Sequence, residues 1–536
     1  MNENQFFNQN NGVNDENNAN LVNMNYQTVN NEVKPPKKSK LPIFLLLLIV
    51  VIGLGIGGYF VYSKVFNKNS NDGTQSNTNV ENSSGVIGDY PLLYVNKDGD
   101  LKLLAANVSD EEKAVTLVRD EGSSAYPEYA NTTNRYILFV KYEALYLYDS
   151  KSKDKTRKVK GDVGEYGFTP NDKYVVFTIK DIGTDIYSYD YKNKPVKVES
   201  GVSSLVDVLD NYVVYKKDDI LYVRDIEAKK DKVKITSAET KNVRVSKDGK
   251  RVIYLTKDGD LHIYLLDSKE DTKIASNVRN YYNNETGIKF FYIDNDSSAN
   301  VYYYDGESVT KFASDVNIVE DYDVDAQKLL YTEKDGDKET LYFKKGTNDK
   351  ILVEDGVGSA NFGTNDDIYY SSDASNKFVL KYAKINGNKI DGRTILSDDV
   401  ETIRIVKDGI LFVDYVDKNN VGTLYVAKNG IKEKIDENVY VSSLRVGNNG
   451  DKYYYYKNYS ERAGDFYVSD GGKGKVIDTD VHQFVVINDN LIFYLRDYSK
   501  SGKGDLYKST GSKGKKLAED IVSLKSTPNY YDPSKK

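Results

Sequence analysis

A strongly apolar strand returns through most of this chain at intervals of 38–44 residues. It opens near Leu92, Tyr136, Tyr174, Tyr212, Arg251, Lys289, Lys328, Asp367, Ile410, Lys452 and Asn490. Eleven copies at a period near 40 constrain the fold more than any other feature. A unit of that length can hold four short strands, and one such unit cannot bury its own apolar faces. Stacked copies can, which is the logic of propeller blades.

One unit shows the pattern in full. Asn242 to Ser246 reads as a first strand. Lys247-Asp-Gly-Lys250 follows as a tight turn, because Asp-Gly tolerates the left-handed backbone a hairpin needs. Arg251 to Thr256 is the second strand, Lys257-Asp-Gly-Asp260 the next turn, and Leu261 to Asp267 the third strand. The fourth lies around Lys273-Ile274, and helical periodicity is absent. The chain has 47 tyrosines, and the repeat accounts for many of them. Tyr146, Tyr187, Tyr222, Tyr264, Tyr302, Tyr342, Tyr425, Tyr467 and Tyr507 are assigned to one third-strand position, which only Lys102 and Leu380 interrupt. A ring packed between blades with its hydroxyl at a wet edge satisfies both halves of the side chain. The stripe is therefore read as core. The fold class is all-β, a β-propeller of about eleven four-stranded repeats, with two tandem rings favoured over one large ring.

Val245-Ser-Lys-Asp-Gly-Lys-Arg-Val-Ile-Tyr254 and Phe168-Thr-Pro-Asn-Asp-Lys-Tyr-Val-Val-Phe177 resemble the TolB-type propeller repeat, whose hallmark is Ser-Pro-Asp-Gly-Lys before an apolar strand. The resemblance runs loosely over residues 89–526. Val324-Asp-Ala-Gln-Lys328 lacks the glycine, and Val446-Gly-Asn-Asn-Gly450 lacks Ser-Pro. The resemblance implies an extracytoplasmic binding or scaffolding body. It carries over no catalytic residue.

Ahead of the repeats, residues 41–63 contain an uncharged run from Leu41 to Tyr62. At about 1.5 Å rise per residue it is long enough for the ~30 Å hydrocarbon core. Lys34, Lys37, Lys38 and Lys40 precede it, and only Lys64 and Lys68 follow closely. That asymmetry predicts a single-pass membrane protein with a cytoplasmic N-terminus and an extracellular C-terminal body. The run is too long for a cleaved signal peptide and no alanine lies between Ala19 and Ala105, so an uncleaved signal anchor is expected. Gly53 and Gly57 form a small-xxx-small pair, a candidate face for a homodimer. Residues 1–40 read as a disordered Asn-rich tail, 64–88 as a flexible linker, 89–526 as the propeller and 527–536 as a C-terminal tail.

The chain has no cysteine, two histidines and a net charge of −7. Disulfides, thiolate nucleophiles and Cys-held metals are excluded. Positive and negative residues balance up to residue 88, so the whole excess of acid belongs to the propeller. A mildly acidic body argues against nucleic-acid binding. His262 and His482 lie far apart in sequence and no Gly-x-Ser-x-Gly elbow accompanies them. Asp321, Asp323 and Asp325 alternate like a calcium loop, but Ala326 and Thr332 stand where that loop has Gly and Glu. Asp294-Asn-Asp296 is likewise read as a turn. No catalytic residue, metal site or cofactor is expected, and no ligand-binding residue can be named.

The expected function is a binding or interaction module at the cell envelope, with an envelope protein or glycan as partner. The alternative is a glycan hydrolase or lyase using carboxylates at a channel mouth. Converging acids there would favour the enzyme, and a mixed polar and aromatic surface would favour binding. The Asn/Lys/Tyr-rich composition points to a Gram-positive bacterial host. The opening repeat lacks a first strand, and Ile521 to Leu524 have first-strand character with no partner after them. These residues are expected to complete that repeat.

Overall fold

In the computed structural model, residues 92–104, 114–129, 135–152, 156–181, 183–336, 338–363, 366–374, 377–526 and 530–531 are described. The apolar segment 41–63, Gly53, Gly57 and the flanking lysines lie outside them. No helix among the described residues is long and apolar enough to cross a membrane.

The repeat is a run of antiparallel sheets in chain order. Blade 1 supplies the strands Leu92–Val95, Leu101–Leu104 and Val115–Val118. Blades 2 to 8 are four-stranded: residues 126–160, 163–202, 204–234, 240–275, 278–313, 316–355 and 357–397. Blades 9 to 11 fuse into one ten-stranded sheet. There Ile431–Val446 is both the fourth strand of blade 9 and the first of blade 10. Lys475–Asn488 repeats the device for blades 10 and 11. By contacts the chain divides into two units. One holds blades 1 to 7, and the other holds blades 8 to 11 with the C-terminal segment.

Burial grades across each blade. The second strand is covered on both faces, as in Leu491–Arg496 and Arg251–Thr256, where five of six residues are buried in the latter. That double cover is why these strands read as continuous apolar runs rather than alternating ones. The third strand alternates, as in Leu221-Tyr222-Val223, with the tyrosine half-buried. The fourth is largely exposed, as in Thr156–Lys160. Neighbouring blades share cores: Val406, Leu411 and Val413 of blade 9 pack with Val446, Tyr453 and Tyr455 of blade 10.

The register corrects the tyrosine stripe at two copies. Second-strand Tyr254 pairs with His262, as Tyr292 pairs with Tyr302 and Tyr331 with Tyr342. The stripe position in blade 5 is therefore His262, and Tyr264 lies two residues further on, buried. In blade 8 the position is Lys381, opposite Tyr370, rather than Leu380. Nine rings of the corrected stripe stack on the second-strand aromatic beside them, with centroids 4.9–5.8 Å apart. The stacking, rather than tyrosine itself, defines the position, so an imidazole serves there.

Candidate binding surface on the first strands

Several first strands begin with a short motif. A residue in the left-handed region precedes a buried valine or isoleucine, one residue bulges, and a polar residue follows. Asn277-Val278-Arg279-Asn280 is an example, with Asn277 at φ 58°. Asp315, Gly356, Asn438, Asp480 and Asp520 take the same conformation before Val316, Val357, Val439, Val481 and Ile521, all of them buried. Asn, Asp and Gly are the residues that tolerate this backbone. The bulge then shifts the side-chain alternation by one, so the polar residue lands on a fixed rung.

In blades 5 to 7 these first strands bring polar and aromatic side chains together. They are Thr240–Val245, Val278–Asn283 and Val316–Asp323. Asn242 Nδ2 donates to Asn280 Oδ1 at 3.3 Å, and Arg244 Nη1 to Asn283 Oδ1 at 3.2 Å. Arg244 also lies 5.4 Å over the Tyr281 ring. The Tyr282 and Tyr322 rings are 5.0 Å apart, and Asn317 Nδ2 donates to Glu339 at 3.1 Å. Asn242, Arg244, Asn280, Tyr282 and Tyr322 are half-buried, so water and solutes reach them. Burial raises the Tyr282 hydroxyl above its ordinary value. This phenol stays a neutral donor at physiological pH.

The acids nearest the blade seams have structural partners. Glu199, Asp436 and Asp478 each sit on a fourth strand and accept from the second-strand tyrosine of the next blade. Tyr215 donates to Glu199 at 3.0 Å, Tyr455 to Asp436 at 3.0 Å and Tyr494 to Asp478 at 2.8 Å. The residue two further along the second strand adds a cation: Lys217 at 3.3 Å, Lys457 at 2.5 Å and Arg496 at 3.2 Å. Burial works to raise the Glu199 carboxyl, but Tyr215 and Lys217 outweigh it and hold it below its ordinary value. Gly474 permits one such seam, because a Cβ there would fall 1.8 Å from the Tyr455 hydroxyl.

The residues singled out in the sequence find their places. His262 stacks on Tyr254 and lies 3.3 Å from Asp271. His482 stacks on Tyr498 at 3.7 Å, and its Nδ1 lies 2.8 Å from the Arg462 carbonyl. Burial pulls His482 below its ordinary pKa. The two histidines belong to different units. Asp323 accepts from the Ala326 amide and Asp325 from Asn284. Asp294 accepts from the amides of Asp296 and Asn300 within its own turn. A shallow cleft of about 380 Å³ between blades 5 and 6 is lined by Asp294, Asp296, Asn277, Tyr292 and Tyr302. Among the described residues, no group of three or more His, Asp or Glu could hold a metal ion.

No family model matches the chain, and no curated protein matches it. Among solved structures, it is similar to a eukaryotic initiation factor at 11% identity, covering 73% of this chain and 97% of that one, with a TM-score of 0.40. It is similar to Porphyromonas gingivalis dipeptidyl peptidase 4 at 11% identity, covering 68% and 63%, with a TM-score of 0.33. Oligogalacturonate lyase in complex with manganese matches at 12% identity, covering 46% and 82%, with a TM-score of 0.26. The propeller assignment rests on the sheets themselves, and these scores add no functional argument.

Proposed function

We propose that this chain is a membrane-anchored binding module whose propeller, of TolB-like type, lies outside the cell and engages an envelope protein or glycan. The half-buried Asn, Arg and Tyr side chains on the first strands of blades 5 to 7 carry the reading. Amide, guanidinium and aromatic groups on neighbouring strands suit hydroxyl-rich or peptide ligands, which need several modest polar contacts and a flat apolar face. Support for the anchor is the uncharged run from Leu41 to Tyr62 behind four lysines.

Two measurements test it. External protease on intact cells should release a fragment that begins within residues 64–88. Digestion of the Asn-rich tail with the propeller protected would reverse the topology. The full chain, purified in detergent, should co-sediment with isolated envelopes. The double substitution Asn280→Ala and Tyr282→Ala should reduce that binding at least tenfold while the melting temperature stays within a few degrees. Undiminished binding by the variant would remove blades 5 to 7 from the site.

A further inference from the structure

Several arginines of this fold face a carboxylate. Arg135 forms two 2.7 Å bonds to Asp149. Arg224 reaches Glu199 at 3.2 Å, and Arg496 reaches Asp478 at 3.2 Å. Among the described residues, Arg404 has only neutral acceptors, as Arg157 does with Tyr189 and Tyr191, but it also has a cation beside it. Arg404 lies on the first strand of blade 9, Val400–Val406, and is half-buried. Its Nη1 donates to Thr402 Oγ1 at 3.0 Å and to the Ile403 carbonyl at 2.9 Å. Both acceptors are neutral, and no acid bonds to it among the described residues.

Its neighbour across the blade seam is a second arginine. Arg404 pairs with Leu411, and Arg445 with Tyr454. Leu411 and Tyr454 each immediately precede the stacking aromatic of their strand, Phe412 and Tyr455. The two arginines thus occupy the same rung of adjacent first strands. In blade 5 that rung holds Arg244 and in blade 6 it holds the neutral Tyr282, and Arg244 donates to the neutral Asn283 beside it. Arg445 donates through Nη1 to the Ser442 and Leu444 carbonyls, each at 2.9 Å, and lies 5.9 Å over the Tyr530 ring. Tyr530 is brought there by a bridge to Gly447. Two like charges on one rung repel in proportion to their burial. Burial, and then the charge of Arg445, pull the Arg404 guanidinium below its ordinary value. A guanidinium fork with Nε and Nη2 unused by any described protein acceptor is shaped for a planar or tetrahedral oxyanion.

We infer that Arg404 and Arg445 form an oxyanion site that takes a carboxylate or a phosphate of an envelope polymer. The bound oxyanion accepts from the Arg404 fork and relieves the repulsion between the two guanidiniums. The local positive charge stands out against an acidic body. This site lies in the second unit and does not depend on the blade 5 to 7 surface.

The test uses the full chain in detergent, with melting followed at constant ionic strength in chloride, inorganic phosphate or glucuronate. Phosphate, glucuronate or both should raise the melting temperature by at least 2 °C over chloride. A response to only one names the source of the oxyanion. Arg404→Gln should abolish the response and leave the melting temperature in chloride equal or higher, since a repulsion has been removed. Arg445→Gln serves as the second variant and should give the same two results. The inference is overturned if neither anion acts beyond chloride, if the variants keep the full response, or if both melt several degrees lower in chloride. Envelope co-sedimentation reads the broader proposal separately: its loss alongside an intact anion response leaves this site standing.

Discussion

Asp207 is the carboxyl most at odds with its surroundings. It lies on the first strand of blade 4, Ser204–Val208, and its one bond is from the Val208 amide at 2.8 Å. Burial pushes its pKa up to about 7. The folded value lies above the unfolded value of about 3.9. The stability linked to this group is therefore full below about pH 4 and is lost as pH rises to about 7. Asp207→Asn should flatten that part of the profile and raise stability at pH 8 by ~2–4 kcal/mol relative to wild type. Urea unfolding midpoints between pH 4.5 and 8 check this. Asp367, Asp414 and Asp489, also raised by burial, add slope of the same sign. The variant's difference from wild type is thus the quantity that decides. A difference that does not change with pH would show that Asp207 is solvated. Nothing in the local sequence Val206-Asp-Val-Leu-Asp210 separates Asp207 from an ordinary turn acid, because its burial is set by the folded packing and not by its sequence neighbours.

At the scale of the element, the blade-to-blade crossing decides where each first strand points. Asp315 holds φ 58° at such a crossing. Asp315→Gly should leave stability within ~1 kcal/mol, because glycine reaches that backbone without strain. Asp315→Val should cost ~1–3 kcal/mol, because a β-branched side chain collides there. Thermal melting of the two variants separates conformational strain from loss of the side chain; equal melting would refute the account. This crossing marks the boundary of what is legible in the sequence. The second strands are legible, since their opening residues agree with the structure to within one position, from Leu92 to Leu491. Double-sided burial writes itself as an apolar run. The first-strand motif is equally present, in Asn277-Val-Arg-Asn280 and Asp480-Val-His-Gln483. It escapes a period-two reading because one bulged residue breaks the alternation. The polar residue that follows the bulge shifts with it, so the surface that Asn242 and Asn280 help to build in the first unit is invisible until the register is known. The stripe in blade 5 is misplaced for a different reason: His262 and Tyr264 are two residues apart and share one phase, so only the pairing of Tyr254 with His262 tells them apart.

At the scale of the molecule, the C-terminal segment behaves as part of the second unit. Ile521 and Leu524 are buried, at 0% and 3% exposure. Gln483, on the first strand of blade 11, grips the Leu524 backbone from both sides: the Leu524 amide donates to Oε1 at 3.0 Å, and Nε2 donates to the Leu524 carbonyl at 3.3 Å. Asp520-Ile-Val-Ser523 repeats the first-strand motif, with Ser523–Leu524 as a short strand. Beyond it, the Tyr531 amide donates to the Val446 carbonyl at 3.2 Å, and the Tyr531 ring packs near Gly450. Removing residues 527–536 should therefore lower the melting temperature measurably, by the ~1–2 kcal/mol of burying part of two aromatic side chains. Removing residues 519–536 strips Ile521 and Leu524 as well. At ~25 cal/mol per Å² of apolar surface, that should cost several kcal/mol more and remove the two Gln483 hydrogen bonds to Leu524. Melting of the two truncations against the full chain reads these steps in order. Amide exchange at Leu92–Val95 in the longer truncation tests the sequence expectation that Ile521 to Leu524 complete the opening repeat, because an unpaired strand edge exchanges fast. If the longer truncation melts like the shorter one, residues 519–526 add nothing to the fold, and the motif they repeat is not what seats a first strand.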